Sequence, residues 1–226
     1  KIRKIKKKHI FLALLAVIVL ICLCSWWAVR KEGFFLDEIY SYGLANSSYV
    51  PFLSWFHGGE QVANGKLPEA VFTQSEFLNY VAPQGSTRFD YASVYYNQTQ
   101  DVHPPLFYFL LHTVCSLFPG SFTKWTGLGM NFVLLGGTLA ALYALGMELF
   151  ADWKKALFVC ASYAFNREMI SNVTMVRMYM LMTLLTILLA LLVAKSLRRP
   201  SVPKYLLIGV TIYLGMMTQY FFVVYA

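Results

Sequence analysis

Charge is what this sequence has least of. Only 13% of its 226 residues are Asp, Glu, Lys or Arg, where a soluble domain carries roughly a quarter to cover its surface. Acidic residues are the scarcer kind, 11 against 19 basic ones. Cysteine is rare as well: Cys22, Cys24, Cys115 and Cys160 all sit inside apolar runs, with no spacing that suits a metal or a redox pair, and read as packing residues. No internal repeat and no low-complexity tract is present. These absences exclude a soluble globular fold, a disordered chain, a collagen-like repeat and a disulfide scaffold. What is there is apolar: 58% of the residues are hydrophobic and 17% aromatic, the balance of an integral membrane protein.

The net charge of +8 matters through its placement. Lys1, Arg3, Lys4, Lys6, Lys7 and Lys8 open the chain, and Lys154, Lys155, Lys195, Arg198, Arg199 and Lys204 flank apolar segments. That is the positive-inside pattern of membrane topology. A nucleic-acid surface would interleave its basic residues with aromatics on one soluble face, so no nucleic-acid partner is expected.

Residues 10–29 form an unbroken apolar run, about 30 Å long as a helix and so matched to the hydrocarbon thickness. It is too long for a signal peptide's core, lacks a small-residue cleavage site, and reads as a retained anchor after a cytoplasmic basic tail, residues 1–9. Further spans are expected at 126–150, 156–175, 178–196 and 205–225. If all basic clusters face the cytoplasm, one crossing must fall between residues 30 and 154. Residues 126–150 supply it. The shorter stretch 104–118 then does not cross, and its polar stripe of Tyr108, His112 and Ser116 suits a helix lying in the outer interface.

Residues 30–125 therefore form a large extracytoplasmic loop. Residues 50–56 and 68–81 carry enough apolar side chains to dock as short interfacial helices, and Gly58-Gly59, Asn64-Gly65 and Pro83-Gln84-Gly85 mark turns. The expected fold class is all-α and integral to the membrane: about five transmembrane helices, with the large first loop carrying interfacial amphipathic helices.

Polar residues that could do chemistry fall in three places. Asp37 and Glu38 lie side by side just outside the first span, where a carboxylate can serve as general base or hold a divalent metal ion; the bland alternative is a solvated pair that ends the span. Asp101 and His103 precede Pro104-Pro105, which fixes their height on the membrane surface; alternatively Asp101 only complements a helix dipole. Arg177 has apolar neighbours and needs an anionic partner, either a lipid phosphate or the Asp37-Glu38 pair. Arg167 and Glu168 are expected to pair with each other.

In order and sidedness these features resemble bacterial membrane glycosyltransferases of the GT-C superfamily, closest to the protein O-mannosyltransferase-like set called glycosyltransferase family 39. The resemblance rests on the Asp37-Glu38 pair after a basic start and a single span, on His103-Pro104-Pro105-Leu106-Phe107-Tyr108, and on Arg177-Met178-Tyr179. Thr218-Gln219-Tyr220-Phe221-Phe222 looks like the family's Thr-His-Tyr-Phe-Phe stretch with Gln219 in the His position. Eukaryotic O-mannosyltransferases and the aminoarabinose transferases place another acidic residue in the second outer loop; here no carboxylate follows Arg177 through Leu181, and Glu168 is the candidate to substitute.

The resemblance implies transfer of a sugar from a polyprenyl-phosphate donor to a hydroxyl of a protein, lipid or glycan acceptor, at the outer face of the cell membrane. Asp37 would be the general base, with Glu38 orienting it or helping to bind metal. Arg177, His103 and Tyr179 would hold the donor phosphate, and Asp37 with Asp101 would hold any divalent ion. The family is usually longer, so the chain is expected to be the N-terminal part of such an enzyme. A transporter or lipid flippase and a noncatalytic membrane subunit are the alternatives.

Overall fold

The computed structural model describes residue 22, residues 24–57 and residues 72–226, without the side chains of residues 56 and 57. Among these residues the fold is helical throughout, with no strand. Residues 24–30 are the helical end of the first apolar run. Then follow α1 (Leu36–Asn46), α2 (Gln74–Val81), α3 (Tyr91–Thr99), α4 (Leu106–Ser116), α5 (Lys124–Phe150), α6 (Trp153–Ala164), α7 (Arg167–Thr174), α8 (Tyr179–Arg198) and α9 (Val202–Met216). The chain closes in a 3-10 turn, Tyr220–Val224.

Local chemistry sets many of the starts. Thr73 caps α2, accepting from the Glu76 N–H while Glu76 returns to the Thr73 N–H, a reciprocal box that satisfies two orphan donors. Asp90, Thr123, Asp152 and Asn166 cap α3, α5, α6 and α7 through their side-chain oxygens. Pro203 sits in the first turn of α9, where a missing N–H costs nothing.

By length and composition α5 and α8 are able to cross a membrane; at about 1.5 Å per residue they extend about 40 and 30 Å. They pack on each other, α6 also packs on α5, and α9 on α8. The outward faces are apolar, with Val133, Phe158, Leu197, Leu206, Val210 and Tyr213 exposed. Helices α1 to α4 gather over one end of this bundle around Tyr42, Tyr80, Phe107, Tyr108 and Leu111. Tyr42 joins the two regions, its hydroxyl donating to the Thr123 carbonyl at 3.1 Å and accepting from the Gly127 N–H at 3.0 Å. Gly127 leaves room for this contact, because a Cβ there would run into Val176 and the Tyr42 hydroxyl.

Several expectations need correction. Residues 156–175 are not one helix: α6 stops at Ala164 and α7 starts at Arg167, because the Asn166 side chain takes the Glu168 N–H and caps a new helix. Neither piece alone reaches about 30 Å. The helix expected over 205–225 begins at Val202 and ends at Met216, after which the chain folds back and lays Phe222 against Gly215. Helices α5 and α8 match 126–150 and 178–196 to within two residues.

Helix α4 forms within 104–118, but its polar stripe faces inward: Tyr108, His112 and Ser116 are all buried. His112 and Ser116 are satisfied there, while the Tyr108 hydroxyl is not. His112 Nδ1 lies 3.2 Å from Asn46 Oδ1, and Ser116 Oγ lies 3.3 Å from His112 Nε2. Asn46 donates its amide to the Val81 carbonyl, so its oxygen accepts from Nδ1–H and leaves Nε2 to accept from Ser116. Burial pushes the His112 pKa down, which favours this neutral ring.

Of the 50–56 segment only residues 53–56 coil, in a 3-10 turn that runs to His57. Within 68–81, residues 68–71 lie outside the described residues, and the rest contains the helix Gln74–Val81. Helix α3 forms although its composition gives no apolar face. The basic tail, most of the first span and the Gly58-Gly59 and Asn64-Gly65 turns lie outside the described residues.

Candidate functional site

The two adjacent carboxylates at the start of α1 have opposite fates. Consecutive helical residues point about 100° apart, so one side chain turns inward and its neighbour outward. Glu38 is 0% exposed. Its Oε2 accepts from Lys31 Nζ at 2.7 Å and from the Phe35 N–H at 2.9 Å, and its Oε1 accepts from the Val176 N–H at 2.7 Å. Lys31 is itself nearly buried, at 9% exposure. Glu38 thus fastens α1 to the segment that joins α7 to α8. Asp37 is exposed, and its carboxylate makes no hydrogen bond or ion pair among the described residues.

The segment between α7 and α8 is pinned from two sides. Asn131 on α5 donates to the Val173 and Met175 carbonyls at 3.1 and 2.8 Å, while Glu38 takes the Val176 N–H. A tight turn, with the Arg177 N–H on the Met175 carbonyl at 2.9 Å, then directs Arg177 toward α1. Arg177 is only 6% exposed. Its Nη1 donates to the Asp37 carbonyl at 3.2 Å and Ser41 Oγ at 3.3 Å, and its Nη2 lies 3.4 Å from His103 Nε2. Its Nε has no partner, and no carboxylate among the described residues forms an ion pair with it. A guanidinium so desolvated without a counter-anion is poised for an anion from outside.

His103 reaches Arg177 from the other side. Its Nδ1 lies 2.9 Å from Asp101 Oδ2, with the ring 21% and the carboxylate 15% exposed. Burial tends to raise the Asp101 pKa, but the hydrogen bond from His103 and the Arg177 charge hold it below the usual carboxylate value. The ionised Asp101 fixes the proton on Nδ1, so the Nε2 lone pair faces Arg177. After Pro104-Pro105 the Leu106 N–H donates to the Met217 carbonyl at 2.9 Å, tying this box to the end of α9.

In the first turn of α4, Tyr108 brings a buried hydroxyl, without a partner in good hydrogen-bond geometry, close to Asp101 and to the charges of Arg177 and Asp37. Burial raises its pKa, so it remains a donor.

The sequence-predicted residues Asp37, Glu38, Asp101, His103 and Arg177 therefore come together at one end of the bundle. Tyr179 does not join them by a hydrogen bond; it opens α8 at 36% exposure. Arg167 and Glu168 are both exposed and form no ion pair with each other. Sequence reasoning missed Ser41, one helical turn after Asp37, and the roles of Lys31 and Asn131, whose partners are distant in the chain.

The arrangement does not fit a divalent metal. Asp101 is engaged by His103 and lies near the Arg177 charge, and no group of three His, Cys, Asp or Glu able to hold a metal gathers among the described residues.

Beside the cluster a cavity of about 250 Å³ opens between residues 24–35 and α7, lined by Trp27, Arg30, Lys31, Phe35, Ser171 and Thr174. It combines apolar walls with two cations and two hydroxyls. Comparison of the chain with protein-family models, with curated proteins and with solved structures finds no match, so its function rests on these side chains.

Proposed function

We propose that this chain is a multi-pass protein of the cell membrane that moves a sugar from a polyprenyl-phosphate donor to an acceptor hydroxyl, in the manner of the GT-C glycosyltransferases that its sequence resembles. The observation that carries the reading is Arg177: a buried guanidinium with an unpaired Nε, bonded to the backbone carbonyl of Asp37, whose own carboxylate is free, and beside the Asp101-His103 pair.

In this reading the chain crosses about five times: the first apolar run, α5, the broken pair α6–α7, α8 and α9. The N-terminus lies in the cytoplasm. The directions of the described helices support it, because Lys124, Thr174, Tyr179 and Met217 lie toward the site, while the turns at 151–152 and 199–201, with their basic neighbours, lie at the other end.

The acceptor's hydroxyl proton passes to the Asp37 carboxylate as its oxygen attacks the anomeric carbon. The bond from that carbon to the phosphate oxygen breaks, its electron pair goes to the phosphate, and the anomeric configuration inverts. Charge that builds on the leaving phosphate meets Arg177 Nε, with the Tyr108 hydroxyl as a further donor; His103, held by Asp101, steadies the guanidinium. Fixed donors aimed at developing charge stabilise the transition state more than the ground state. Glu38 positions this apparatus by holding α1 against Val176, beside Arg177. The cavity lined by Arg30 and Lys31 suits the approach of a lipid-linked phosphate, with Trp27 and Phe35 against the lipid chain.

The test is donor consumption in proteoliposomes with a short-chain polyprenyl-phosphate sugar. Asp37→Asn is expected to abolish transfer while expression and membrane insertion remain normal. Transfer at the wild-type rate in Asp37→Asn would remove the catalytic assignment.

A further inference from the structure

At the end of the bundle away from Arg177, a cavity of about 440 Å³ is lined by Glu148, Lys195, Arg198, Arg199 and Lys204. It lies where α5 and α8 end and α9 begins. Its charges are not equivalent. Arg198 Nε pairs with Glu148 Oε1 at 3.3 Å. Lys204 Nζ donates to the carbonyls of Lys195, at 3.2 Å, and of Arg199, neutralising the negative end of α8. The Lys195 ammonium and the Arg199 guanidinium are left without a hydrogen bond or ion pair among the described residues. The cavity thus holds two uncommitted cations, an ammonium and a guanidinium fork, beside a carboxylate already engaged.

Its surroundings are apolar. Leu149, Phe150, Leu197, Val202, Tyr205 and Leu206 are all exposed on the same helix ends. A small soluble anion needs only the cations, whereas an acidic phospholipid needs cations for its phosphate and apolar surface for its chains. Helix α8 runs about 30 Å from Tyr179 to Arg198, the hydrocarbon thickness of a bilayer, so the cavity sits at headgroup depth. We propose that it is a binding site for the phosphate headgroup of an anionic phospholipid, with Lys195 and Arg199 as the principal ligands. The site depends on the chain lying in a membrane and not on sugar transfer.

Native mass spectrometry of the detergent-solubilised chain, with equimolar phosphatidylglycerol and phosphatidylcholine added, tests it. The wild type is expected to retain one phosphatidylglycerol over phosphatidylcholine by at least about tenfold. Lys195→Glu with Arg199→Glu should erase that preference, and Lys195→Arg with Arg199→Lys should keep it. Lys154→Glu with Lys155→Glu, the same charge change outside the cavity lining, should also keep it. If the double reversal does not fold by circular dichroism, Lys195→Gln with Arg199→Gln takes its place.

No lipid preference in the wild type overturns the proposal, as does an equal loss in the Lys154/Lys155 control, which would mean diffuse attraction. Displacement of the lipid by millimolar inorganic phosphate would reassign the cavity to a free anion.

Discussion

The region before Thr123 and the bundle after it solve the same problem in opposite ways. Helices α1 to α4 bury polar side chains and satisfy most of them internally: Asn46, Asn97, His112, Ser93 and Ser116 all bond across elements. The bundle buries mostly small hydroxyls, such as Thr126, Thr138, Thr211 and Thr218, and turns its large apolar side chains outward. Burial of polar groups specifies one arrangement at a high cost for error, whereas an apolar exterior suits contact with lipid or another apolar surface. The candidate site forms where the two meet, because there a segment of the bundle, residues 175–178, carries a buried charge into the polar region.

The largest expected effect comes from cutting that junction. Glu38→Ala leaves Lys31 buried without its counter-charge and the Val176 N–H without an acceptor, and should cost about 3–5 kcal/mol in the thermal or denaturant unfolding of the detergent-solubilised protein. A loss below about 1 kcal/mol, the worth of an exposed pair, would mean that the two regions do not depend on each other here.

Next is Arg177→Gln, which removes the charge but keeps the chain direction. Transfer should fall by about 10²- to 10³-fold, with a much smaller change in stability. Arg177→Lys should not restore it, since an ammonium cannot reach Asp37, Ser41 and His103 together as a planar fork does.

Gly127→Ala probes the close approach of the regions. The new methyl would meet Val176 and the Tyr42 hydroxyl, and about 1–3 kcal/mol of stability should be lost. The same change at Gly129, where nothing lies within 4 Å of the added carbon, should be neutral or slightly stabilising.

The smallest effect is the pH dependence of the polar region. Burial lowers the His112 pKa in the folded state, so below about pH 6.5 the unfolded chain binds more protons and unfolding becomes easier as pH falls toward the folded value. His112→Gln should flatten that part of the stability profile, by less than about 1.4 kcal/mol per pH unit.

The long apolar helices and the site's partners were legible in the sequence to different degrees. Helices α5 and α8 followed from hydropathy alone, since a long apolar run has few other solutions. The break at Asn166 did not, because a polar triplet inside an apolar window barely changes its average; the signal was the capping residue. The stripe on α4 was visible as periodicity, but periodicity cannot say whether polar groups face water or a buried partner, and Asn46 lies 66 residues away from His112. Asp37, Glu38, Asp101, His103 and Arg177 stood out as rare charges beside apolar segments. The division of labour between Asp37 and Glu38 depends on which side of α1 faces Val176, which only tertiary packing decides.

That division is the central claim, and one paired experiment tests it: Asp37→Asn and Glu38→Gln, each measured for sugar transfer and for unfolding midpoint in the same detergent. Asp37→Asn should lose transfer with its midpoint unchanged, while Glu38→Gln should lower the midpoint and affect transfer only as far as the fold loosens. Full transfer in Asp37→Asn, or an unchanged midpoint in Glu38→Gln, would contradict it.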